Sequence, residues 1–483
     1  MTHRTCHRGI LAPGRLAMLV VWVAFGLATE ATPASRPPNI LVLLADDLGY
    51  GDLGCYGQTR IRTPRLDRLA AEGTRFTRYY AGSTVCAPSR SALMQGLHTG
   101  HCRVRGNAGR QNPLAQSLRP DDVTVAEVLK SAGYVTGLIG KWGLGDVPGA
   151  EVGLPRSQGF DEFFGYLNQH HAHNYFPTYL WRNEERVTLS NIVPNEDWAG
   201  GGQSSNRAQY SADLIAEEAL DFIRRHRQHP FFLCFTPTLP HANNEAGKDG
   251  MEIPDLAEYR DLPWPTPAKA HAAMVTRLDR DVGRILDLLR ELDLEAGTLV
   301  LFTSDNGPHR EGGNDPDFND SNGPLRGIKR DLYEGGIRVP MIARWPGRIP
   351  SGSVRSEIWW APDLLPTLAE LAGAKAPPHL DGLSVARMLQ GGRAPRRPSP
   401  LYWEFHEGGF KQAVLDGHWK AVRLGLGKPV ELYHLGSDPS ETLDRAARLP
   451  RRAERLARIM DREHRNSPDW PVRNAEVKNS LKP

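Results

Sequence analysis

Cysteine is scarce in this sequence. Only five of the 483 residues are cysteines, which is too few for a disulfide scaffold in so long a chain. The sequence also lacks a CxxC pair and an HExxH segment, the common signals of a zinc site. One cysteine, Cys86, lies in STVCAPSRSALMQGLHTG, residues 83–100. Its polar, proline and glycine neighbours predict a turn rather than a core segment, so the presence of a cysteine there needs a chemical explanation.

A long apolar run is also missing. The run LAMLVVWVAFGLA, residues 16–28, has thirteen residues, whereas a membrane-spanning helix needs about 20. Three arginines precede the run and small residues lie near its end, which predicts a signal peptide at residues 1–28 and export to the periplasm or the medium. A membrane anchor or a buried first helix is the alternative. Residues 29–38, TEATPASRPP, are predicted to form a disordered leader.

Excess charge of one sign is absent as well. The formal net charge of +3 falls to zero once the signal peptide, with three arginines and no acidic residue, is removed. No overall positive charge then favours nucleic acid, and no helix-turn-helix or zinc-finger pattern is present. Cys6 leaves with the signal peptide, and if Cys86 serves chemistry, the three cysteines that remain can form at most one disulfide.

Continuous aliphatic runs predict strands that are buried on both faces, as in a parallel sheet covered by helices. These runs lie at residues 39–47, 134–142, 231–237, 298–307 and 339–345. Helical patterns alternate with them at residues 64–71, 124–132, 208–227 and 270–292. The alternation predicts an α/β domain at residues 39–375, built on a large, doubly wound, mostly parallel sheet.

The remaining residues, 376–483, are predicted to form a smaller α+β C-terminal domain with an antiparallel sheet. The linker-like segment GAKAPPHLDG precedes it. The segments LYWEF and QAVLDGHWKAVRL have strand character, and the second contains a hairpin turned at Asp416–Gly417. Residues 452–465 have the charged, amphipathic pattern of a surface helix.

Polar side chains follow the predicted strands of the large domain, at the sheet edge where α/β proteins bind ligands. They are Asp46, Asp47, Lys141, His241, Asp305 and Asn306. Three carboxylates and one amide oxygen, from the two acidic doublets, suit a hard divalent cation such as calcium or magnesium. Each doublet alone is more typical of a turn or helix cap, and the pairing of two doublets at two strand ends favours the metal site.

The segment CAPSR, residues 86–90, resembles the C-x-P-S-R signature of the sulfatase family in the alkaline-phosphatase-like superfamily. The segments NILVLLADDLGYGDLGCYG, PLRGIKRDLYEGGIRVPMIARWPG and LYHLGSDPSET are similar to the family as well. The resemblance covers nearly the whole chain after the signal peptide. It implies an alkaline-phosphatase-like fold and the hydrolysis of sulfate esters.

By this resemblance, a maturation enzyme oxidises Cys86 to formylglycine during export. One hydroxyl of the aldehyde hydrate attacks sulfur and leaves a covalent sulfate hemiester, and the other hydroxyl then expels sulfate. The resemblance also implies a Ca²⁺ site, with Mg²⁺ as the alternative ion. Its ligands would be Asp46, Asp47, the oxidised residue 86, Asp305 and Asn306.

The resemblance assigns further roles by matching motif positions. Arg90 anchors the aldehyde hydrate, while Lys141 and Lys329 contact the sulfate oxygens. His241 binds sulfate and, with Lys329, protonates or stabilises the leaving group. Asp305 doubles as a proton acceptor for the attacking hydroxyl.

One position departs from the family pattern. Many members have GKWHLG, whereas this chain has GKWGLG, with Gly143 in place of the histidine. His171 or His173, in NQHHAHNY, could reach the pocket from a loop and replace the missing group. The alternative is that these histidines belong to a polar substrate loop.

The loop at residues 165–186 is rich in aromatic and hydrogen-bonding side chains, which favours a sulfated carbohydrate over a loop that only packs on the sheet edge. The loop also resembles exported bacterial sulfatases, which implies a sugar of galactose or N-acetylgalactosamine type. Aryl sulfates should also be cleaved. Two other functions stay open from the sequence. One is the hydrolysis of phosphoesters or phosphonate monoesters on the same fold. The other is a sulfated-glycan binding protein in which Cys86 remains a thiol.

Overall fold

The aliphatic run that follows Pro38 forms strand β1 (Asn39–Ala45), in which all seven residues are buried. The computed structural model describes residues 1–5, 9, 36–108, 112–146 and 153–472. The signal peptide predicted at residues 1–28 lies almost wholly outside these residues, and so do residues 29–35 of the predicted leader. Contacts divide the chain into a unit of residues Met1–Arg36 and a unit of residues Pro37–Pro483, and every element below belongs to the second.

The aliphatic runs form the centre of one eleven-stranded sheet. Its strands, besides β1, are β2 (Thr74–Tyr80), β3 (Val135–Lys141), β4 (Glu162–Tyr166), β5 (Tyr179–Arg182), β6 (Glu185–Thr188), β7 (Phe231–Thr236), β8 (Thr298–Ser304), β9 (Arg338–Arg344), β10 (Ser353–Arg355) and β11 (Trp359–Trp360). The strand order is β10-β2-β9-β8-β1-β7-β3-β4-β5-β6, with β11 also paired to β2. Strand β1 runs parallel to β7 and β8, and β3 runs parallel to β7. The prediction of a mostly parallel sheet is confirmed, with β9 antiparallel to both its neighbours.

The helices of the described residues include those that cover both faces of the large sheet and a final one that belongs to the C-terminal part. They are α1 (Pro64–Ala71), α2 (Cys86–Gln95), α3 (Val125–Ser131), α4 (Ser211–His226), α5 (Thr266–Glu291), α6 (Pro316–Asn319), α7 (Glu334–Ile337), α8 (Leu364–Ala372), α9 (Ala386–Leu389) and α10 (Pro450–Glu463). Alternate residues of β1 point to opposite sides: Leu41 and Leu43 join a core with α1, α4 and α5, and Ile40 and Val42 join a core with α3 and α8. This is the doubly wound arrangement that the alternating pattern predicts.

A second sheet lies in the C-terminal part, as predicted. It consists of four antiparallel strands in sequence order, β12 (Leu401–Phe405), β13 (Lys411–Asp416), β14 (Trp419–Arg423) and β15 (Val430–His434). The predicted hairpin joins β13 and β14, with Gly417 at a φ of 62°. Helix α10 packs against one face, and the other face packs against residues beside the start of α2, including Val85. The second sheet therefore supports the segment that carries Cys86.

A buried ion triad ties this second sheet to the rest of the fold. The Lys420 side chain is fully buried, and its Nζ lies 3.0 Å from a carboxylate oxygen of Glu334 and 3.0 Å from one of Glu441. Replacing Lys420 with methionine should lower the free energy of unfolding by about 3–5 kcal/mol, because it leaves two buried carboxylates without their shared cation. Urea unfolding measures the change, with the exposed Lys428→Met as control. A loss no larger than that of the control would contradict this role.

Within the described residues, no helix combines the length and the apolar character needed to cross a membrane. The cysteines there, Cys55, Cys86, Cys102 and Cys234, are all free.

Candidate active site

The predicted polar side chains meet at one edge of the large sheet. Strands β8, β1, β7 and β3 are consecutive and parallel, so their carboxyl ends lie side by side. Asp46 and Asp47 follow β1, His241 follows β7, Lys141 ends β3, and Asp305 and Asn306 follow β8. All six residues are buried. The edge therefore gathers carboxylates, a basic side chain and a histidine into one cluster that is largely closed to water.

Cys86 faces the acidic pair from the first position of helix α2. Its Sγ lies 3.1 Å from Oδ1 of Asp46 and 4.0 Å from Oδ1 of Asp47. The turn predicted for this segment is wrong: all ten residues of α2 are buried. Proline is tolerated in the first helical turn, where Pro88 lies, and Gly96, at a φ of 67°, ends the helix. A helix buried on every side has no polar face, so its sequence lacks the amphipathic pattern that would reveal it.

Arg90 holds Asp305 in place. It follows Cys86 by one helical turn and therefore lies on the same face of α2. Its Nε and Nη2 donate to Oδ2 of Asp305 at 3.1 and 2.9 Å, and its Nη1 donates to the carbonyl oxygen of Lys141 at 2.7 Å. One arginine thus connects the ends of β8 and β3 directly beneath residue 86.

Two lysines pair with the acidic doublet. Lys141 donates from Nζ to Oδ2 of Asp46 at 2.6 Å, and Lys329 donates to Oδ2 of Asp47 at 2.8 Å. Lys329 also donates to Oε2 of Glu311 at 2.9 Å. Sequence reasoning missed Glu311, although it lies only four residues beyond the segment SDNG, residues 304–307, and so belongs to the same strand end.

The two ring nitrogens of His241 have different hydrogen-bond roles. Its Nδ1 lies 2.7 Å from the carbonyl oxygen of Ala242 and donates to it, which leaves Nε2 as an acceptor 3.1 Å from Nζ of Lys329. Burial and the charge of Lys329 lower the pKa of His241 to about 3, so the imidazole is neutral at physiological pH. The transferable proton of this pair therefore lies on Lys329.

The charges in the cluster shift the pKa values of its acidic groups in opposite directions. Burial opposes the ionisation of Asp46, but the basic side chains around it, Lys141 first and Arg90 among the others, together outweigh burial and keep the pKa of Asp46 well below its usual range. Burial and the Asp46 carboxylate raise the pKa of Asp305 to about 7. Burial and Asp46 also raise the pKa of the Cys86 thiol well above its usual value. An unmodified Cys86 would therefore stay protonated and would be a poor nucleophile.

The oxygen atoms at the centre fit a hard divalent cation. Ligand atoms of Asp46, Asp47, Cys86 and His241 all lie within 4.8 Å of one another. Beside them, Oδ1 of Asn306 is buried and has no hydrogen-bond partner among the described residues, while its Nδ2 donates to Oδ1 of Asp47 at 2.7 Å. An orphaned amide oxygen next to carboxylates matches the ligand chemistry of calcium or magnesium.

The two loop histidines differ in where they lie. His171 packs against the rings of Tyr166 and Tyr179, with centroid distances of 4.8 and 4.4 Å, and the structure does not bring it to the cluster. His173 stacks on His241 at 5.0 Å with an interplanar angle of 11°, which places it at the mouth of the site.

Gly143 has a left-handed backbone conformation and lies against the end of the Gln169 side chain. Its φ is +79°, and a Cβ there would lie 2.7 Å from Nε2 of Gln169. That Nε2 is buried without a hydrogen-bond partner among the described residues. Gln169 therefore fills the space beside residue 143, and sequence reasoning, which looked only for histidines, missed it.

Known proteins match nearly all of the chain. The family model described as "Sulfatase" matches residues 38–374, and the model described as "N-sulphoglucosamine sulphohydrolase, C-terminal" matches residues 328–458. The N-acetylgalactosamine-6-sulfatase of Sus scrofa is 36% identical over 434 residues, which cover 85% of this chain and 76% of the relative. Arylsulfatase A of Homo sapiens is 35% identical over 473 residues, which cover 88% and 85%.

Among solved structures, Ps i-CgsB in complex with k-i-k-neocarrahexaose has a TM-score of 0.77 and 30% sequence identity to this chain. The alignment covers 92% of this chain and 97% of that one.

Proposed function

This chain belongs to the sulfatase family, and we propose that it hydrolyses the sulfate esters of a carbohydrate. The observation that carries the proposal is the convergence of Lys141, Lys329 and Arg90 on the acidic side chains around Cys86. A sulfuryl group is anionic, and its transfer requires fixed positive charge at its oxygens. The site provides that charge in a buried position, where it acts most strongly.

The balance of charge also favours a sulfate ester over a phosphate ester. Five carboxylates, those of Asp46, Asp47, Asp305, Glu311 and Glu407, lie against four basic side chains, those of Lys141, Lys329, Arg90 and Arg330. With a bound divalent cation, the net charge of the site is one positive charge, because His241 is neutral and adds none. One positive charge matches a sulfate monoester, which carries one negative charge, better than a phosphate monoester, which carries nearly two at neutral pH.

The substrate is proposed to be a sulfated sugar of galactose or N-acetylgalactosamine type. Relatives are named N-acetylgalactosamine-6-sulfatases, and the structural neighbour holds a neocarrahexaose. From the segment of residues 165–186, His173 stacks on His241 beside the site. The aromatic rings of Tyr166, Tyr175 and Phe176 are buried in the core, so the prediction that they face the sugar is wrong. Small aryl sulfates should be cleaved too, because the sulfate-binding side chains contact the ester group itself.

The nucleophile is proposed to be residue 86 after its oxidation to formylglycine. The buried, protonated thiol is unsuited to attack, whereas an aldehyde hydrate offers two hydroxyls. One hydroxyl attacks sulfur as the ester oxygen departs with a proton, and the second hydroxyl loses its proton as the aldehyde re-forms and sulfate leaves. Serine or cysteine offers no such route for release.

The neighbouring side chains have separate proposed roles. Arg90 positions the hydrate and Asp305, and Lys141 and Lys329 hold sulfate oxygens. Lys329 protonates the leaving oxygen, and His241 orients it by accepting one of its hydrogen bonds. Asp305, whose charge acts on residue 86, accepts the proton of the attacking hydroxyl.

A divalent cation is part of the proposal. Asp46, Asp47, residue 86, Asp305 and Asn306 would hold it, with calcium preferred over magnesium. A bound cation would acidify the attacking hydroxyl and draw charge from the sulfate oxygens.

Export and maturation complete the proposal. Residues 1–28 would serve as a signal peptide for export to the periplasm or the medium, and a maturation enzyme would form the aldehyde. Residues 39–375 would be the catalytic domain, and residues 376–483 the C-terminal domain that supports it.

Rates on three esters of one phenol test the proposed reaction. The mature protein should cleave the sulfate ester with a kcat/KM at least about 100-fold above that of the phosphate monoester or the phosphonate monoester. A phosphate or phosphonate rate equal to or above the sulfate rate would contradict sulfatase activity. Binding of the sulfate ester without hydrolysis would support the glycan-binding alternative.

A further inference from the structure

Each N–H hydrogen of Lys329, the proposed proton donor, already has an acceptor. An ammonium group has three such hydrogens. The acceptors are Oδ2 of Asp47 at 2.8 Å, Nε2 of His241 at 3.1 Å and Oε2 of Glu311 at 2.9 Å. Lys329 can therefore donate to a leaving oxygen only after it gives up one of these hydrogen bonds. A carboxylate that is released in a buried position needs another cation, because an unpaired buried charge is strongly unfavourable.

Glu311 has such a second cation among the described residues. Its Oε1 accepts from Nη1 of Arg330 at 2.6 Å, so each of its oxygens bonds a different basic side chain. The nearby His309 ring adds no further donor, because its Nδ1 accepts from the backbone amide of Glu311 and its Nε2 donates to the carbonyl oxygen of Pro240. The Glu311 carboxylate therefore stays paired through Arg330 when Lys329 moves to a substrate.

Contacts from two other parts of the fold hold Arg330 at Glu311. Its Nε donates to Oε2 of Glu407 at 3.1 Å, and Glu407 follows strand β12 of the second sheet. Its backbone amide donates to the carbonyl oxygen of Thr84 at 3.0 Å, two residues before Cys86. The Arg330 side chain is nonetheless 43% exposed, so a substitution at this residue should leave the core packed.

We infer that Arg330 is a positioning residue for proton transfer to the leaving group. It keeps Glu311 paired, so that Lys329 can exchange its bond to Glu311 for one to the ester oxygen. As the hydroxyl of residue 86 bonds to sulfur, the bond between sulfur and the ester oxygen breaks. The ester oxygen keeps the electron pair and takes a proton from Nζ of Lys329, which regains a proton from water after the alcohol has left. The inference rests on the proposed function and adds this residue to it.

Two sulfate esters with different leaving groups test the inference. A nitrophenol leaves readily as an anion, whereas unsubstituted phenol depends more on the donated proton. Arg330→Met removes the charge and leaves Glu311 without a second cation, so Lys329 should stay bonded to Glu311. The variant should lower kcat/KM on phenyl sulfate by about 10-fold or more beyond its effect on nitrophenyl sulfate. Arg330→Lys keeps a cation beside Glu311 and should bring the ratio of the two rates to within about threefold of that of the unaltered protein.

Arg225→Met is the matched control. Arg225 lies on α4, is 41% exposed, and also bonds two carboxylates, those of Glu162 and Glu218, at 2.6 and 2.8 Å. The control should leave the ratio of the two rates unchanged. This ratio, measured in one preparation, does not depend on the fraction of the protein that is folded.

The outcomes separate this inference from the function on which it rests. An unchanged ratio in Arg330→Met would overturn the inference while the sulfatase proposal stands. An unaltered protein that cleaves nitrophenyl sulfate but not phenyl sulfate would overturn it too, because no proton would then reach the leaving oxygen. Failure of the unaltered protein to cleave either ester would overturn the sulfatase proposal itself.

Discussion

Replacing Cys86 with serine is expected to abolish turnover of sulfate esters, with kcat reduced by at least about 10,000-fold. Serine has nearly the same shape as cysteine, so the fold around α2 should persist, but the proposed maturation acts on a cysteine thiol and would leave the serine as an alcohol. A serine hydroxyl that accepts a sulfuryl group has no second hydroxyl with which to expel it. Single-turnover assays with a nitrophenyl sulfate, combined with the mass of the intact protein, measure both release of the phenol and retention of sulfate.

Cys102 provides the matched control for this substitution. It is also buried and free, and its Sγ donates to the carbonyl oxygen of Val104 at 3.2 Å, a bond that a serine hydroxyl can make too. Cys102→Ser should therefore keep activity within about threefold of the unaltered protein. If Cys86→Ser retained comparable activity, residue 86 would not be the nucleophile.

Replacing Asp47 with asparagine is expected to reduce kcat/KM by about 1,000-fold or more and to remove bound calcium. Asp47 is fully buried between Lys329 and Asn306, with contacts of 2.8 and 2.7 Å. The change removes one carboxylate from the proposed metal ligands and leaves Lys329 with only Glu311 as an anionic partner. Elemental analysis of the purified protein and rates on a sulfate ester measure the two effects.

The exposed Asp121 allows the same charge change far from such contacts, and Asp121→Asn should keep both calcium and activity. Asp47→Asn protein that retains one calcium per chain, with activity near that of this control, would show that the acidic doublet does not bind the metal.

The parts of the fold that the sequence predicts are those with a repeating pattern. The aliphatic strands and the helix of residues 64–71 follow from periodicity, because a buried strand or an amphipathic helix imposes its period on the residues. Strand β2, TRFTRYY, was not anticipated, since its arginines and threonines interrupt any aliphatic run. The sequence predicts a turn where helix α2 lies, because burial on all sides removes the polar face that identifies a helix.

The residues of the candidate site also divide into those that a sequence pattern predicts and those that it does not. Asp46, Asp47, Lys141 and Asp305 are predictable because each lies where a buried strand ends, and strand ends of parallel sheets converge. Glu311 and Gln169 come from loops, where no period fixes the direction of a side chain, so only coordinates place them. The two loop histidines illustrate this: His173 reaches the site by stacking on His241, while His171, two residues earlier, packs into a tyrosine-lined core.

The chemical state of residue 86 tests the account most directly. Mass spectrometry of the peptide that contains this residue, taken from protein exported by its native host, distinguishes a thiol from an aldehyde. We expect the aldehyde, with the sulfur lost and a carbonyl oxygen gained. A fully active preparation in which residue 86 is still an unmodified cysteine would contradict the mechanism proposed for this site.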